Sequence, residues 1–320
     1  MQPPALVRIF GLALRAWWDD DAPRLGASVA YYTLFAIAPV LIVATAVAGT
    51  AFGPEVARGG IIDALDELIG QEGALAVQSL LEGASQRRPG IVATTLGGVA
   101  FTVAATGAFL ELQSALNTIW RVKANPGANL KAFVFDRLRS FGLVIAIGFL
   151  LMVSLAMTAA LAAFGTWLAR GAPSIPLLWT IVNLAVSVVV ATVLFTLLYR
   201  FLPDVQLRWR DVTTGAFVTA ILLTFGQQLI GFYLGQSSVA SSYGAAGSIM
   251  ILLLWVYHSC QILLLGAEFT RVYADRHGVE PAPESFAKPD IVAIIASDLV
   301  DQEHHLNETK AAAGSENSTE

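Results

Sequence analysis

Charge is scarce in this 320-residue chain: Asp, Glu, Lys and Arg together make up 13% of it. A water-soluble domain carries about a quarter. Between Asp211 and Glu268 none of the four occurs at all. Cysteine is nearly missing too. The single Cys260 excludes an intrachain disulfide and a thiolate metal cluster, and in its apolar surroundings it reads as a small buried residue. There is no Walker lysine loop, no G-x-S-x-G, no H-E-x-x-H and no compact Asp/His cluster. Hydrolysis with a bound metal therefore has no visible apparatus, the chain is not expected to be an enzyme, and no cofactor is expected. A basic stripe is also lacking: the net charge is −5, so nucleic acid is not an expected partner.

What fills the chain instead is apolar. Hydrophobic residues make up 56%, and the mean hydropathy is +0.65. A bilayer core needs about 20 apolar residues in helical form. Uncharged stretches of that length divide the chain into six expected spans, near 26–52, 90–110, 140–169, 177–199, 212–234 and 245–267. The fold class expected is all-α: a polytopic membrane protein with six transmembrane helices, an amphipathic N-terminal helix and a helical exoplasmic loop.

Orientation follows from Lys and Arg, which are retained on the cytoplasmic side. Fifteen of the 19 fall in the N-terminal arm, the loops after spans two and four, and the tail; four fall on the other side. Both termini are then cytoplasmic, with Arg87 and Arg88 the local exception. The arm, residues 1–24, does not resemble a cleaved signal, because Arg8 and Arg15 interrupt its apolar stretch. Leu6, Ile9, Phe10, Leu14 and Trp17 recur near one helical face, and Trp17-Trp18 followed by three aspartates suits a helix at headgroup level. In the exoplasmic loop 53–89, Ile61, Ile62, Leu65, Leu68 and Ile69 recur at helical spacing. That loop is either a cover for the bundle or a lid over an outward cavity.

The tail, 271–320, is expected to be largely disordered, since Pro281, Pro283 and Pro289 break any continuing helix. Ile291 to Val300 could form a short helix. His304-His305 lacks a spacing that would converge on a metal. The Asn307-Glu308-Thr309 sequon would be silent on the cytoplasmic side.

Polar side chains in hydrocarbon need a partner or a purpose. Asn183 in span four, Gln227, Gln228 and Tyr233 in span five, Tyr243 at the start of span six, and Trp255, Tyr257 and His258 further along it form a candidate substrate pathway. The competing reading is interhelical hydrogen bonding, and for His258 a satisfied structural histidine. A candidate cytoplasmic rim consists of Glu111, Arg121, Arg137, Arg200, Glu268 and Arg271. It is either an ion-pair belt or a basic ring for anionic headgroups. Gly231 and Gly235 make a G-x-x-x-G pair that favours close helix packing, and Pro39 should bend span one.

Several stretches resemble one family. Gly26-Ala27-Ser28-Val29-Ala30-Tyr31-Tyr32-Thr33-Leu34-Phe35-Ala36-Ile37-Ala38-Pro39 is similar to the opening "A-x-x-Y-Y-x-L-x-S-L-x-P" run of the BrkB/YihY family of bacterial inner-membrane proteins, once labelled ribonuclease BN. Ala36 stands where that run has serine. Leu112 to Arg121, with Asn117 and Trp120, resembles the family's "L-N-x-I-W" segment, and Tyr199 to Pro203 its "Y-x-x-x-P" turn. Gly215-Ala216, Tyr243-Gly244-Ala245-Ala246-Gly247, Trp255-Val256-Tyr257 and the closing Gly266-Ala267-Glu268 follow in order. The resemblance covers about residues 20 to 275.

It implies a six-helix inner-membrane domain and a connection with envelope lipid handling, virulence or serum resistance, but it carries no catalytic or transport residues. The leading expectation is a transporter or flippase for a lipid or another amphipathic anion, with membrane lipids and a periplasmic or envelope-assembly protein as partners. The alternatives are a non-catalytic scaffold for envelope assembly and, further off, a tRNA-processing ribonuclease. Substrate, direction, coupling and oligomeric state are not encoded in any recognisable motif.

Overall fold

A computed structural model describes residues 5–53, 55–56, 58–62, 77–78, 106–124, 176–236, 247–277, 282–283, 287–291 and 294–295. The expected span 140–169, all of span 90–110 before residue 106, most of loop 53–89, Tyr243, Arg137, the side chain of Asn183, His304-His305 and the end of the tail lie outside these residues.

The described chain is almost wholly helical. Helix α1 is Ala5–Asp19 and α2 is Ala22–Phe52; α3 covers 106–119; α4 is Pro176–Phe201, α5 is Trp209–Gln236 and α6 is Gly247–Arg276. Among the described residues, three helices are long and apolar enough to cross a membrane: α4 through Leu184–Phe201, α5 through Trp209–Tyr233 and α6 through Ile249–Arg276. Helix α2 carries no charged residue after Arg24 and remains helical through Pro39.

Helix α6 is the centre. It packs against α1, α2 and α5, and α5 in turn packs against α4. The faces that meet are made of small residues. On α5, Val212, Ala216, Thr219 and Ala220 are fully buried at helical spacing, whereas Phe217, Phe225, Leu229, Phe232 and Tyr233 stand exposed on the other side. In a membrane that second face belongs to lipid. Helix α4 exposes Ile181, Leu184, Val189 and Val193 in the same way while burying Thr196 and Tyr199. Lipid tails are as apolar as these side chains, so the helices are held by close approach and interhelical hydrogen bonds and not by the hydrophobic effect between them.

Close approach occurs at glycines. A methyl at Gly215 would overlap Thr270, and one at Gly266 would overlap Thr219 and stand 2.7 Å from Tyr199 Oη. Gly231 behaves differently: nothing lies within 4 Å of where its Cβ would be, and its helix face is exposed. The packing expected from the Gly231/Gly235 pair is therefore not seen at Gly231, and Gly215, Gly226 and Gly266 carry the α5–α6 contact instead.

Helix α1 lies on the end of α6. Ile9 and Ala13 are buried against Phe269, with Phe10, Val218, Val272 and Tyr273 around them. Leu14 and Trp18 are exposed, so the face set on the bundle is narrower than the apolar periodicity of α1 suggests.

Two small antiparallel pairs tie this end together. Strand β1, Val122–Ala124, pairs with β4, Ala287–Pro289, in the register Val122↔Pro289 and Ala124↔Ala287. Strand β2, Val205–Gln206, pairs with β3, Ala282–Pro283. Lys123 Nζ stands 2.7 Å from Asp290 Oδ2, and the Asp290 N–H donates to the Arg121 carbonyl at 2.8 Å. The start of the tail thus forms a strap that pairs with the turns following α3 and α4, and most of the tail expected to be largely disordered lies outside the described residues. The prolines that end α6 are compatible with such short edge pairings, where a missing N–H is tolerated. A helical turn follows the strap, with the Ile294 N–H donating to the Asp290 carbonyl.

Candidate functional site

The strap marks one end of the bundle, where charged and polar groups concentrate in three clusters. The first joins α3 to the turn after α4. Asp204 is 5% exposed, and it accepts from Gln113 Nε2 at 2.9 Å and from Asn117 Nδ2 at 2.8 Å. Asn117 Oδ1 accepts the Asp204 N–H in return, at 2.8 Å. These hydrogen bonds satisfy the buried carboxylate and fix the turn. Nearby, Ser28 Oγ on α2 donates to Glu111 Oε1 at 2.5 Å.

The second cluster surrounds Arg271. Its Nε and Nη2 both donate to Glu268 Oε2, at 3.1 and 2.8 Å. Its Nη2 is 3.5 Å from Asp20 Oδ2 and its Nη1 is 3.7 Å from Asp275 Oδ2. Glu268 is fully buried and Arg271 is 7% exposed. Arg121 belongs to the same electrostatic group: burial first, then the like charge of Arg271, holds its guanidinium below the usual range, against the pull of Asp20, Glu268 and Asp275. An arginine remains charged regardless. Two non-glycine residues with positive φ border this cluster, Asp21 at 54° and Arg121 at 53°.

The third cluster is outward-facing. Arg208, Trp209 and Arg210 are exposed at the start of α5. The Arg200 guanidinium lies over the Trp209 ring, 5.7 Å from its centroid, and its Nε is buried with no hydrogen-bond partner. Of the six rim residues expected from the sequence, Arg137 lies outside the described residues and the other five divide. Glu268, Arg271 and Arg121 go into a buried ionic knot, Glu111 bonds to Ser28, and Arg200 sits at the α4–α5 corner. Trp209, Arg208 and Arg210 were not singled out from the sequence, although an Arg-Trp-Arg triplet between two apolar runs is a recognisable interfacial signature.

The candidate pathway through the bundle is not gathered in one place. His258 Nε2 lies 3.2 Å from the Gly226 carbonyl on α5, on the α5–α6 interface. Trp255 and Tyr257 are packed against the main apolar cluster. Gln228 and Tyr233 are exposed on the outer face of α5, and Gln227 is intermediate. Among the described residues, one interhelical hydrogen-bond junction joins three helices through Tyr199, a residue noted only as part of the "Y-x-x-x-P" turn. Its hydroxyl donates to the Leu263 carbonyl at 2.7 Å and meets Thr219 Oγ1 at 3.1 Å, joining α4, α5 and α6. Gln261, also unremarked in the sequence, reaches the Pro23 carbonyl at 3.4 Å and fills the space left by Gly26. Among the described residues no three His, Cys, Asp or Glu side chains converge as a metal site.

Long apolar helices held by glycine contacts define a helical integral membrane protein. The chain belongs to the family described as Virulence factor BrkB, which matches residues 13–290. Curated relatives include a UPF0761 membrane protein of Ralstonia nicotianae, 29% identical over 267 residues that make up 82% of this chain and 58% of the relative. Another, from Janthinobacterium sp., is 27% identical over 299 residues, 90% of this chain and 65% of the relative. A third, from Xanthomonas campestris pv. campestris, is 29% identical over 261 residues, 79% of this chain and 57% of the relative. The chain thus spans less than two thirds of the length of these relatives. No solved structure matches it.

Proposed function

We propose that this protein moves a lipid or another amphipathic anion in the bacterial inner membrane during envelope biogenesis, through a bundle of six spans with both termini in the cytoplasm. The observation that carries this reading is the α4–α5 corner. Arg200 lies over the Trp209 ring at the end of α4, and the exposed Arg208 and Arg210 flank Trp209 along the chain at the start of α5, so a phosphate or carboxylate headgroup would meet guanidiniums while its chains lie against α4 and α5. Arginine suits this role because its planar fork pairs with phosphate oxygens, and the indole anchors at the same depth.

The test is lipid exchange in proteoliposomes. Wild-type protein should accelerate the transfer of a fluorescent anionic lipid between leaflets, and R208A/R210A should slow it at least several-fold while leaving a zwitterionic analogue unaffected. Equal rates with and without protein would refute the reading. Among the described residues, a scaffold role finds support at Ile291 and Ile295, which are exposed, one turn apart, directly after the strap.

A further inference from the structure

Helix α1 has two apolar faces, and the bundle uses only one of them. At 3.6 residues per turn, Val7, Leu14 and Trp18 fall on one line, within about 40° of each other. Ile9 and Ala13 lie roughly 120–160° round from Val7 and are buried against Phe269. Val7, Leu14 and Trp18 are instead 57%, 48% and 69% exposed. The two neighbouring tryptophans divide in the same way: Trp17 packs on the main apolar cluster, and Trp18 stands out from it.

What α1 touches sets the depth of the uncovered line. Val218 belongs to the stretch of α5 able to cross a membrane, Trp209–Tyr233, and Phe269, Val272 and Tyr273 belong to that of α6, Ile249–Arg276. Helix α1 therefore runs beside membrane-crossing stretches and not beyond their ends, so the side turned away from them faces the same medium. Phe217, next to Val218 on α5, is exposed as well.

The charge pattern agrees. Ala5–Asp19 carries no carboxylate before Asp19. Arg8 is exposed and makes no ion pair among the described residues, and Arg15 reaches Asp19 at 3.6 Å. Both arginines lie about 80–100° round from Val7, at the border of the apolar line. There a long side chain buries its stem and keeps its charged head in the headgroup layer. A protein partner fits less well. Three partly exposed side chains on a 15-residue helix offer much less than the about 800 Å² per partner that a stable protein interface buries.

We propose that α1 is inserted in the membrane as a brace. Its Val7–Leu14–Trp18 line sinks into the leaflet at the strapped end, Ile9 and Ala13 hold it to α6, and Arg8 pairs with anionic phospholipid headgroups. Burial of such a line at the headgroup boundary, with an indole at its edge, is how interfacial helices bind. The occupant is the bilayer itself, so this reading stands whether or not the protein moves lipid.

Nitroxides on single cysteines in a Cys260→Ala background test it, with the full chain in nanodiscs of phosphatidylethanolamine and phosphatidylglycerol. Collisions with oxygen report lipid, and collisions with a water-soluble nickel chelate report solvent. At Val7→Cys, Leu14→Cys and Trp18→Cys oxygen collisions should exceed nickel collisions several-fold, and at Asp19→Cys the order should reverse. Nickel collisions dominating at all four positions would put α1 in water. Labels shielded from both reagents would put the line against protein, either a second copy or another part of this chain. Each of these two results overturns the proposal. Arg8→Glu should move the Leu14→Cys label toward water in these nanodiscs, and do so much less in phosphatidylcholine alone. Equal effects in both lipids, or none, would sink the pairing with anionic headgroups. All the substituted side chains are exposed, so the buried contacts with Phe269 are untouched.

Discussion

At Gly266 the addition of one methyl decides whether α5 and α6 can stay in contact. The new carbon would overlap Thr219 Oγ1, and that hydroxyl cannot turn aside freely. It donates to the Gly215 carbonyl at 2.8 Å and meets the Tyr199 hydroxyl at 3.1 Å. Overpacking of this kind costs about 1–3 kcal/mol, whereas deleting one interhelical hydrogen bond within a membrane costs on average about 0.6 kcal/mol. Gly266→Val should therefore lower the unfolding midpoint in detergent much more than Tyr199→Phe. Thr219→Ala should recover part of the loss in Gly266→Ala, because it removes the atom in the way. Independent, additive effects of Gly266→Ala and Thr219→Ala would show that the two residues do not share the space. Little of this junction was legible in the sequence. Tyr199, Thr219 and Gly266 each sit in an ordinary apolar run, and only the crossing of three helices brings them together. His258 drew attention because an imidazole is rare in a span, yet its partner is a backbone carbonyl that no side-chain pattern can reveal.

The helical elements were far more legible, since long uncharged runs admit little else in a bilayer. The apolar runs expected near 177–199 and 212–234 fall within α4 and α5, and the run near 245–267 overlaps α6 from Gly247 on; the helices extend to Phe201, back to Trp209, and to Arg276. They continue because a helix does not stop where hydrocarbon ends; charged residues only mark the depth. The strap was not legible for the opposite reason. Its pairing is made by the backbone across 167 positions of chain, from Val122 to Pro289, and three prolines read locally as a break. This changes what the tail should do when shortened. Removing residues 297–320 leaves both strand pairs and the Lys123–Asp290 contact, so the midpoint should hardly move. Removing 279–320 exposes β1 and β2 and should lower it clearly, by more than Asp290→Ala alone. The lysine of that ion pair is 69% exposed, and such a pair contributes about 0–1 kcal/mol. Equal stability of the two truncations would show that the strap does not hold the end of the bundle.

For the whole molecule, the strap turns local contacts into an argument about topology. Because β3 and β4 follow α6 and pair with strands that follow α4 and α3, those three helices finish at one end. Helices α2 and α5 start there, the first through Ser28 and Glu111 and the second through Gly215 and Thr270. A 26-residue helix is about 39 Å long, so α4 begins a full membrane thickness away from where α3 stops. The chain between them lies outside the described residues, and its residues 140–169 are uncharged throughout. We propose six passes with both termini on one side, an arrangement consistent with these ends, in which the excess of Lys and Arg would make the strapped end the cytoplasmic one. Single cysteines in a Cys260→Ala background test it directly with a membrane-impermeant maleimide. Arg208→Cys and Lys288→Cys should react only in inside-out vesicles, and Glu55→Cys only in right-side-out spheroplasts. Labelling of Glu55→Cys and Lys288→Cys from the same side would mean that α2 turns back within the membrane. The ionic knot at Arg271 would then no longer mark the inner mouth of the bundle.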